Sequence, residues 1–246
     1  MTSKLIRIFL FSACSSSVSV LTLSAAPCAN VTLAADIALG DTGCTIGGDT
    51  FFDFQLIASE GTGGATPIPA GAITVEGLGP AGTPGASAVA PFLPNDIGID
   101  FNTVWAVTAG QTLDDYISFD VSVGTRAAEV TDAGIIQNSY TTGDGDVTVA
   151  EKGCSGITFP CIEEWGVATN NTNFVADTIF TATGTLSVAK DIAASAGSGT
   201  AGVSNVADLF STSEVPEPRP VSLLLAVGFM AGAILRKRLQ RTGVLS

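Results

Sequence analysis

Histidine is absent from this chain of 246 residues, and charged residues make up only 13% of it. Without histidine the chain lacks the most common general base and the most common zinc ligand in proteins. It also lacks the Ser-His and Cys-His pairs that activate many protein nucleophiles. The composition therefore argues against most classes of enzyme, and it indicates no cofactor.

Basic residues are scarce in the middle of the chain. All 23 acidic residues lie between Asp36 and Glu217, and only Arg126, Lys152 and Lys190 accompany them there. Three bases against 23 acids give this central part a net charge of −20. Such a field repels phosphate backbones, so nucleic acid is excluded as a partner, whereas cations are attracted. The simplest interpretation is a solubilising surface.

Long apolar runs are confined to the two ends. At the N-terminus, a serine-diluted apolar run follows Lys4 and Arg7, and the small residues Ser24–Ala26 come after it. This order is typical of a secretory signal peptide, which predicts that signal peptidase removes residues 1–26 or slightly fewer. Residues 11–14 resemble a lipoprotein box only loosely, since phenylalanine begins them and the preceding run is very short.

At the C-terminus, Val221–Leu235 is an apolar run of fifteen residues that the basic cluster Arg236, Lys237 and Arg238 closes. As a helix it would rise about 22 Å, against a hydrocarbon core of about 30 Å. The long basic side chains can cover the difference by reaching the headgroups. We therefore expect a transmembrane helix with its basic end in the cytoplasm and the preceding body across the membrane.

Directly before this run stand Val215, Pro216, Glu217 and Pro218. The order of Pro-Glu-Pro, apolar span and basic stop over Val215–Gln240 resembles the PEP-CTERM sorting signal of Gram-negative bacterial proteins. The resemblance implies export, a temporary anchor in the inner membrane, and processing by an exosortase that recognises the Pro-Glu-Pro motif. It further implies delivery to the cell surface or extracellular matrix, where exopolysaccharide is an expected partner.

The body between the ends shows a period of two. Alternate residues are apolar or β-branched over Ile97–Val107 and over Ile117–Val123. One buried and one polar face are typical of antiparallel sheets, so residues 27–212 are predicted to form an all-β fold, a single jelly-roll-like antiparallel β-sandwich. The sorting segment then covers residues 213–241. A small, polar stretch over Ala194–Ser204 predicts a loop that leads into a stalk.

Four cysteines remain once the predicted signal peptide is removed: Cys28, Cys44, Cys154 and Cys161. An even number in an exported protein indicates disulfides. Of the three pairings that four cysteines allow, Cys28–Cys44 and Cys154–Cys161 are favoured because each closes a short loop. A zinc site is the alternative, but the usual two-residue knuckles are absent.

Carboxylates offer one candidate metal site. Asp144 and Asp146 alternate at a turn and Glu151 follows, an arrangement of oxygen ligands that would suit calcium. The favoured alternative is a plain hairpin turn at Gly143-Asp144-Gly145. Asp114 and Asp115 are adjacent, so on a strand they point to opposite faces and form no acid-base pair.

Aromatic residues offer little evidence for sugar binding. Trp105 shares a face with the apolar residues of its strand and is assigned to the core, which leaves Trp165 as the one candidate for stacking on a sugar. The sequence therefore favours a non-enzymatic surface or matrix protein. The alternative is a calcium- or polysaccharide-binding β-sandwich module of the cell envelope, and an exported hydrolase is the weakest hypothesis.

Overall fold

The computed structural model describes residues 25–89, 96–124, 128–156 and 165–214. Within them the chain is almost entirely strand, because Val, Ile, Thr and Phe favour extended backbone. The strands, in chain order, are β1 (Ala26–Pro27), β2 (Val31–Thr32), β3 (Cys44–Ile46), β4 (Asp49–Thr62), β5 (Thr74–Gly79), β6 (Ala88–Val89), β7 (Ile97–Thr108), β8 (Gln111–Ser122), β9 (Ala128–Thr142), β10 (Gly145–Ser155), β11 (Trp165–Asn170), β12 (Val175–Thr183), β13 (Thr185–Ala196) and β14 (Thr200–Glu214).

The strands form two seven-stranded sheets. The first sheet has the order β1-β3-β4-β8-β13-β10-β11, and the second has the order β12-β9-β14-β7-β5-β2, with β6 also paired to β5. All pairings are antiparallel except β1 with β3 and β5 with β6. The all-β, mainly antiparallel architecture predicted from the period-two patterns is therefore present.

The inward-facing side chains of both sheets meet in one apolar core. At its centre, the ring of Phe119 on β8 lies 5.7–6.4 Å, centroid to centroid, from the rings of Phe51, Phe54, Phe101 and Phe210. Phe101 and Phe210 belong to the second sheet and the other three to the first. Aromatic packing between the sheets thus supplies much of the buried apolar surface.

One short α-helix, α1 (Leu33–Ile37), lies among the described residues, with two 3₁₀ turns at Gly40–Thr42 and Ala70–Ala72. Thr32 begins α1 because its side chain accepts a hydrogen bond from Ala35 N. No helix in the described part of the chain is long and apolar enough to cross a membrane. Of the predicted signal peptide only residues 25 and 26 are described, and the predicted span at 221–235 lies outside the described residues.

The predicted loop over Ala194–Ser204 is wrong, and the predicted stalk before the membrane extends, beyond Glu214, outside the described residues. β13 continues to Ala196, a turn occupies only residues 197–199, and β14 begins at Thr200. β14 pairs with β9 on one side and with β7 on the other, so it is a central strand of the second sheet. The small residues of β14 do not favour a strand by their own composition. They are extended because β14 pairs with the strands on both of its sides.

Candidate functional site

A lysine lies in the core of the protein. Lys190 is on β13 between the buried residues Val188 and Ile192, so the period of two turns it inward. Its side chain has no solvent exposure. Lysine is almost never buried without a charged partner, because removing an ammonium group from water is costly.

Two carboxyl groups surround this lysine. Glu151, the register partner of Lys190 on β10, brings Oε2 to 2.9 Å from Lys190 Nζ. Asp208 on β14 contacts the same Nζ through Oδ1 from the opposite sheet. All three side chains are fully buried, and we call Glu151, Lys190 and Asp208 the buried triad. It joins the two sheets through their shared core.

The buried triad contains more potential negative charge than positive. Burial raises the pKa of the Asp208 carboxyl well above its ordinary value, and the neighbouring Glu151 raises it further. Burial acts to lower the pKa of Lys190, but Asp208 and Glu151 outweigh it and the pKa is raised. The shifts therefore favour an ammonium group at Lys190 and an uncharged carboxylic acid at Asp208.

Several polar atoms of this interior have no hydrogen bond within the part of the chain that the structure describes. They are Asp208 Oδ2, Glu151 Oε1 and both ends of the buried Gln137 amide, whereas Asp208 Oδ1 contacts Lys190 Nζ. Gln137 faces the same interior, since its register partner Val206 is two residues from Asp208. Unpaired polar atoms in a dry core are costly and rare. The site thus combines an amine and two carboxyl groups in a fully buried cluster.

A second polar contact joins the sheets. Trp105 Nε1 on β7 donates a 2.7 Å hydrogen bond to Asp115 Oδ2 on β8, and both side chains are fully buried. Burial raises the pKa of Asp115. The neighbouring Asp114 is exposed, so the two adjacent carboxyl groups do point to opposite faces. Trp105 is a core residue, as the alternation predicts.

The three residues predicted to hold calcium do not come together. Glu151 belongs to the buried triad, whereas Asp144 and Asp146 are exposed at the start of β10. Asp144 Oδ1 instead accepts hydrogen bonds from Ser198 N (2.6 Å) and Gly199 N (3.0 Å), and these bonds lower its pKa. In the part of the chain that the structure describes, no group of three metal-ligating side chains is present.

The structure describes some of the other predicted site residues. The disulfide Cys28–Cys44 is present, as one of the favoured pairings requires. Cys154 is disulfide-bonded too, and its predicted partner Cys161 lies outside the described residues. The sorting-motif residues Val215, Pro216, Glu217 and Pro218 and the basic stop at Arg236, Lys237 and Arg238 also lie outside them.

The outer face of the first sheet carries a shallow pocket of about 380 Å³, lined in part by Tyr116, Lys152 and Asp191. Lys152 Nζ lies 5.7 Å above the centre of the Tyr116 ring, and burial, with a contribution from Asp114, raises the pKa of Asp191 to about 6. Trp165 does not extend this surface. Its ring stacks on Phe180 at 5.0 Å and is only 6% exposed.

No family model, curated protein or solved structure matches this chain. Its fold and side-chain geometry are therefore the basis for any functional conclusion about the body.

Sequence reasoning missed the buried triad. A usable signal exists at Lys190, which occupies an inward position in the alternating stretch Leu186-Ser187-Val188-Ala189-Lys190. Asp208 has a similar position between Val206 and Phe210, both of which are buried. A charged residue at an inward position of an alternating strand indicates either an error of register or a buried partner of opposite charge.

Proposed function

We propose that the chain is a non-enzymatic exported protein of the cell surface or extracellular matrix, which an exosortase sorts and processes through its PEP-CTERM tail. The observation that carries the proposal is the three-part tail over Val215–Gln240: a Pro-Glu-Pro motif, a short apolar span and a basic stop, in that order. Signal peptidase acts at the other end, and the inner membrane holds the precursor only temporarily.

The chemistry of the motif and of the body supports this assignment. The two prolines of the motif favour an extended backbone, which a protease can bind. The body itself is acidic and disulfide-bonded, and these properties suit an extracellular protein.

We further propose that the two sheets form one β-sandwich, because side chains from both contribute to a single core. Consecutive long strands from β7 to β10 alternate between the sheets. The jelly-roll-like connectivity and the limits of 27–212 for the body remain predictions. So does the alternative of a calcium- or polysaccharide-binding module, to which the buried Trp165 lends no support.

The test is to replace Pro216, Glu217 and Pro218 by alanine in the full chain, expressed in a Gram-negative host that has an exosortase. The full-length precursor should accumulate in the inner-membrane fraction, whereas the wild-type chain should be shortened and exported. The matched control replaces the exposed Pro67 and Pro69 of the body, and this variant should be processed normally. Normal processing of the Pro216-Glu217-Pro218 variant would contradict the proposal.

A further inference from the structure

We propose that Lys190 and Asp208 condense spontaneously to an intramolecular amide, an isopeptide bond between β13 and β14, and that Glu151 transfers the protons. The geometry points to this reaction because Lys190 Nζ is in direct contact with Asp208 Oδ1 while Glu151 Oε2 lies 2.9 Å from the same nitrogen. The reaction concerns the folded body alone and does not depend on how the tail is sorted.

The interior favours the uncharged form of Asp208, whereas Lys190 must first lose a proton against its raised pKa. The triad has no solvent exposure, so an ammonium-carboxylate pair there bears the full cost of desolvation. Burial raises the pKa of Asp208 and so favours its uncharged acid form, which is a far better electrophile than a carboxylate. Transfer of one proton from Lys190 to Glu151 then leaves three neutral groups, and an apolar medium favours that arrangement over separated charges.

The bonds and protons balance without a further reactant. The neutral amine of Lys190 attacks Cγ of Asp208, so a C–N bond forms and one C–O bond of the carboxyl group breaks. The hydroxyl group departs as water with the second proton of the nitrogen, which Glu151 relays. Glu151 keeps the first proton and ends as a neutral acid. Nothing is oxidised or reduced.

Folding supplies the driving force that free lysine and aspartate lack. Reacting groups held in contact behave as if present at roughly 10⁵ M or more. The water that is released leaves an apolar core for the solvent, and the product has no buried charge to solvate. The bond would join the two sheets covalently and would hold β14, the strand that leads directly into the tail.

The test is a digest of the denatured full chain, read by mass spectrometry. A protease that cuts before aspartate separates residues 177–190 from residues 191–207, and it also cuts before Asp208 unless the Asp208 side chain has become an amide. We expect residues 177–190 to remain joined to an uncut peptide that begins at Asp191 and contains Asp208, lighter than the sum of the two by the mass of one water molecule. Neither contains cysteine, so reduction will not separate them. Trypsin should also fail to cut after Lys190.

Variants test the role of each group. In Glu151→Gln residues 177–190 should be recovered as a free peptide and the chain should be cut before Asp208, because the glutamine amide cannot accept the proton. Lys190→Met should give the same result, whereas Lys152→Arg, at the exposed lysine of β10, should keep the joined peptides. Circular dichroism checks that each variant folds. If a variant does not fold, the wild-type digest decides alone.

The outcomes are distinct. Joined peptides in the wild type that are lost in the folded Glu151→Gln variant support the proposal. Separate peptides in the wild type, together with tryptic cleavage after Lys190, would overturn it and leave the buried triad as an ion-pair network. Joined peptides that persist in Glu151→Gln would overturn the proton-transfer role assigned to Glu151.

Discussion

Replacing Trp105 by phenylalanine isolates the hydrogen bond that joins the sheets at Asp115. Trp105 Nε1 donates to Asp115 Oδ2 over 2.7 Å in a site with no solvent exposure. Phenylalanine keeps an aromatic ring in the core but has no donor, so Asp115 Oδ2 loses the hydrogen bond from the indole. An unpaired buried acceptor costs about 1–3 kcal/mol, and the smaller ring leaves a cavity. Trp105→Phe should therefore lower the free energy of unfolding by about 2–5 kcal/mol at pH 7.

This loss should depend on pH. Burial raises the pKa of Asp115, whereas hydrogen bonds from Ser59 and Trp105 lower it, so removal of the indole raises the pKa further. A carboxyl group with a higher pKa in the folded than in the unfolded state binds more protons when folded. Its stabilising contribution is complete at low pH and is lost as the pH rises through the folded pKa. The deficit of the variant relative to wild type should therefore be larger at neutral pH than in mild acid.

Trp165→Phe is the matched control. Trp165 is also buried, but its Nε1 has no hydrogen-bond partner, so its replacement unpairs no carboxyl group. Urea unfolding of both variants and wild type, followed by far-ultraviolet circular dichroism at neutral pH and in mild acid, measures the difference. The deficit of Trp165→Phe should stay constant. An equal change in both variants would refute the role assigned to the Trp105–Asp115 hydrogen bond.

Three further perturbations test the core, the disulfide and the turn. Phe119→Ala removes the central ring of the core and should cost about 3–5 kcal/mol in urea unfolding, whereas Phe174→Ala, at a half-exposed ring, should change stability by less than about 1 kcal/mol. A Cys44→Ser variant opens the loop to Cys28 and should lose about 2–4 kcal/mol, and a reducing agent should then have little further effect at this site. Asp144→Ala should lower the melting temperature at neutral pH. The difference in melting temperature between variant and wild type should shrink in acid. The reason is that a carboxyl group with a lowered folded pKa loses its stabilising contribution as the pH falls through that value. For the Asp144 turn we expect calcium chloride to add no more stability than sodium chloride of equal ionic strength, and a larger gain from calcium would indicate a metal site there.

The strands that could be predicted are those whose side chains alternate strictly. Ile97–Val107 lies within β7, and Ile117–Val123 nearly coincides with the second half of β8. β14 could not be predicted in the same way, because Thr200–Asn205 is small and polar and its strand character comes from β9 and β7 on either side. Partners distant in the sequence leave no local signal in such a stretch.

The candidate site could not be predicted from the sequence, because it depends on the register between paired strands and on the packing of the two sheets. Glu151 was considered as a calcium ligand because of its spacing from Asp144 along the chain. On a strand, however, seven residues span about 23 Å, so the two carboxyl groups cannot share one ion there. Its actual partner is Lys190, which lies directly opposite only in the β10–β13 register. Asp208 joins them through contact between the two sheets, which the sequence of one strand cannot indicate.

The central claim is that the exported body is released from a tail that only the precursor carries. The most direct measurement is the identity of the C-terminal peptide of the protein recovered from the cell surface or culture medium, determined by mass spectrometry. We predict a C-terminus close to the Pro216-Glu217-Pro218 motif and no peptide from the Val221–Leu235 span. A surface or extracellular form that still carries Arg236-Lys237-Arg238 would contradict the account.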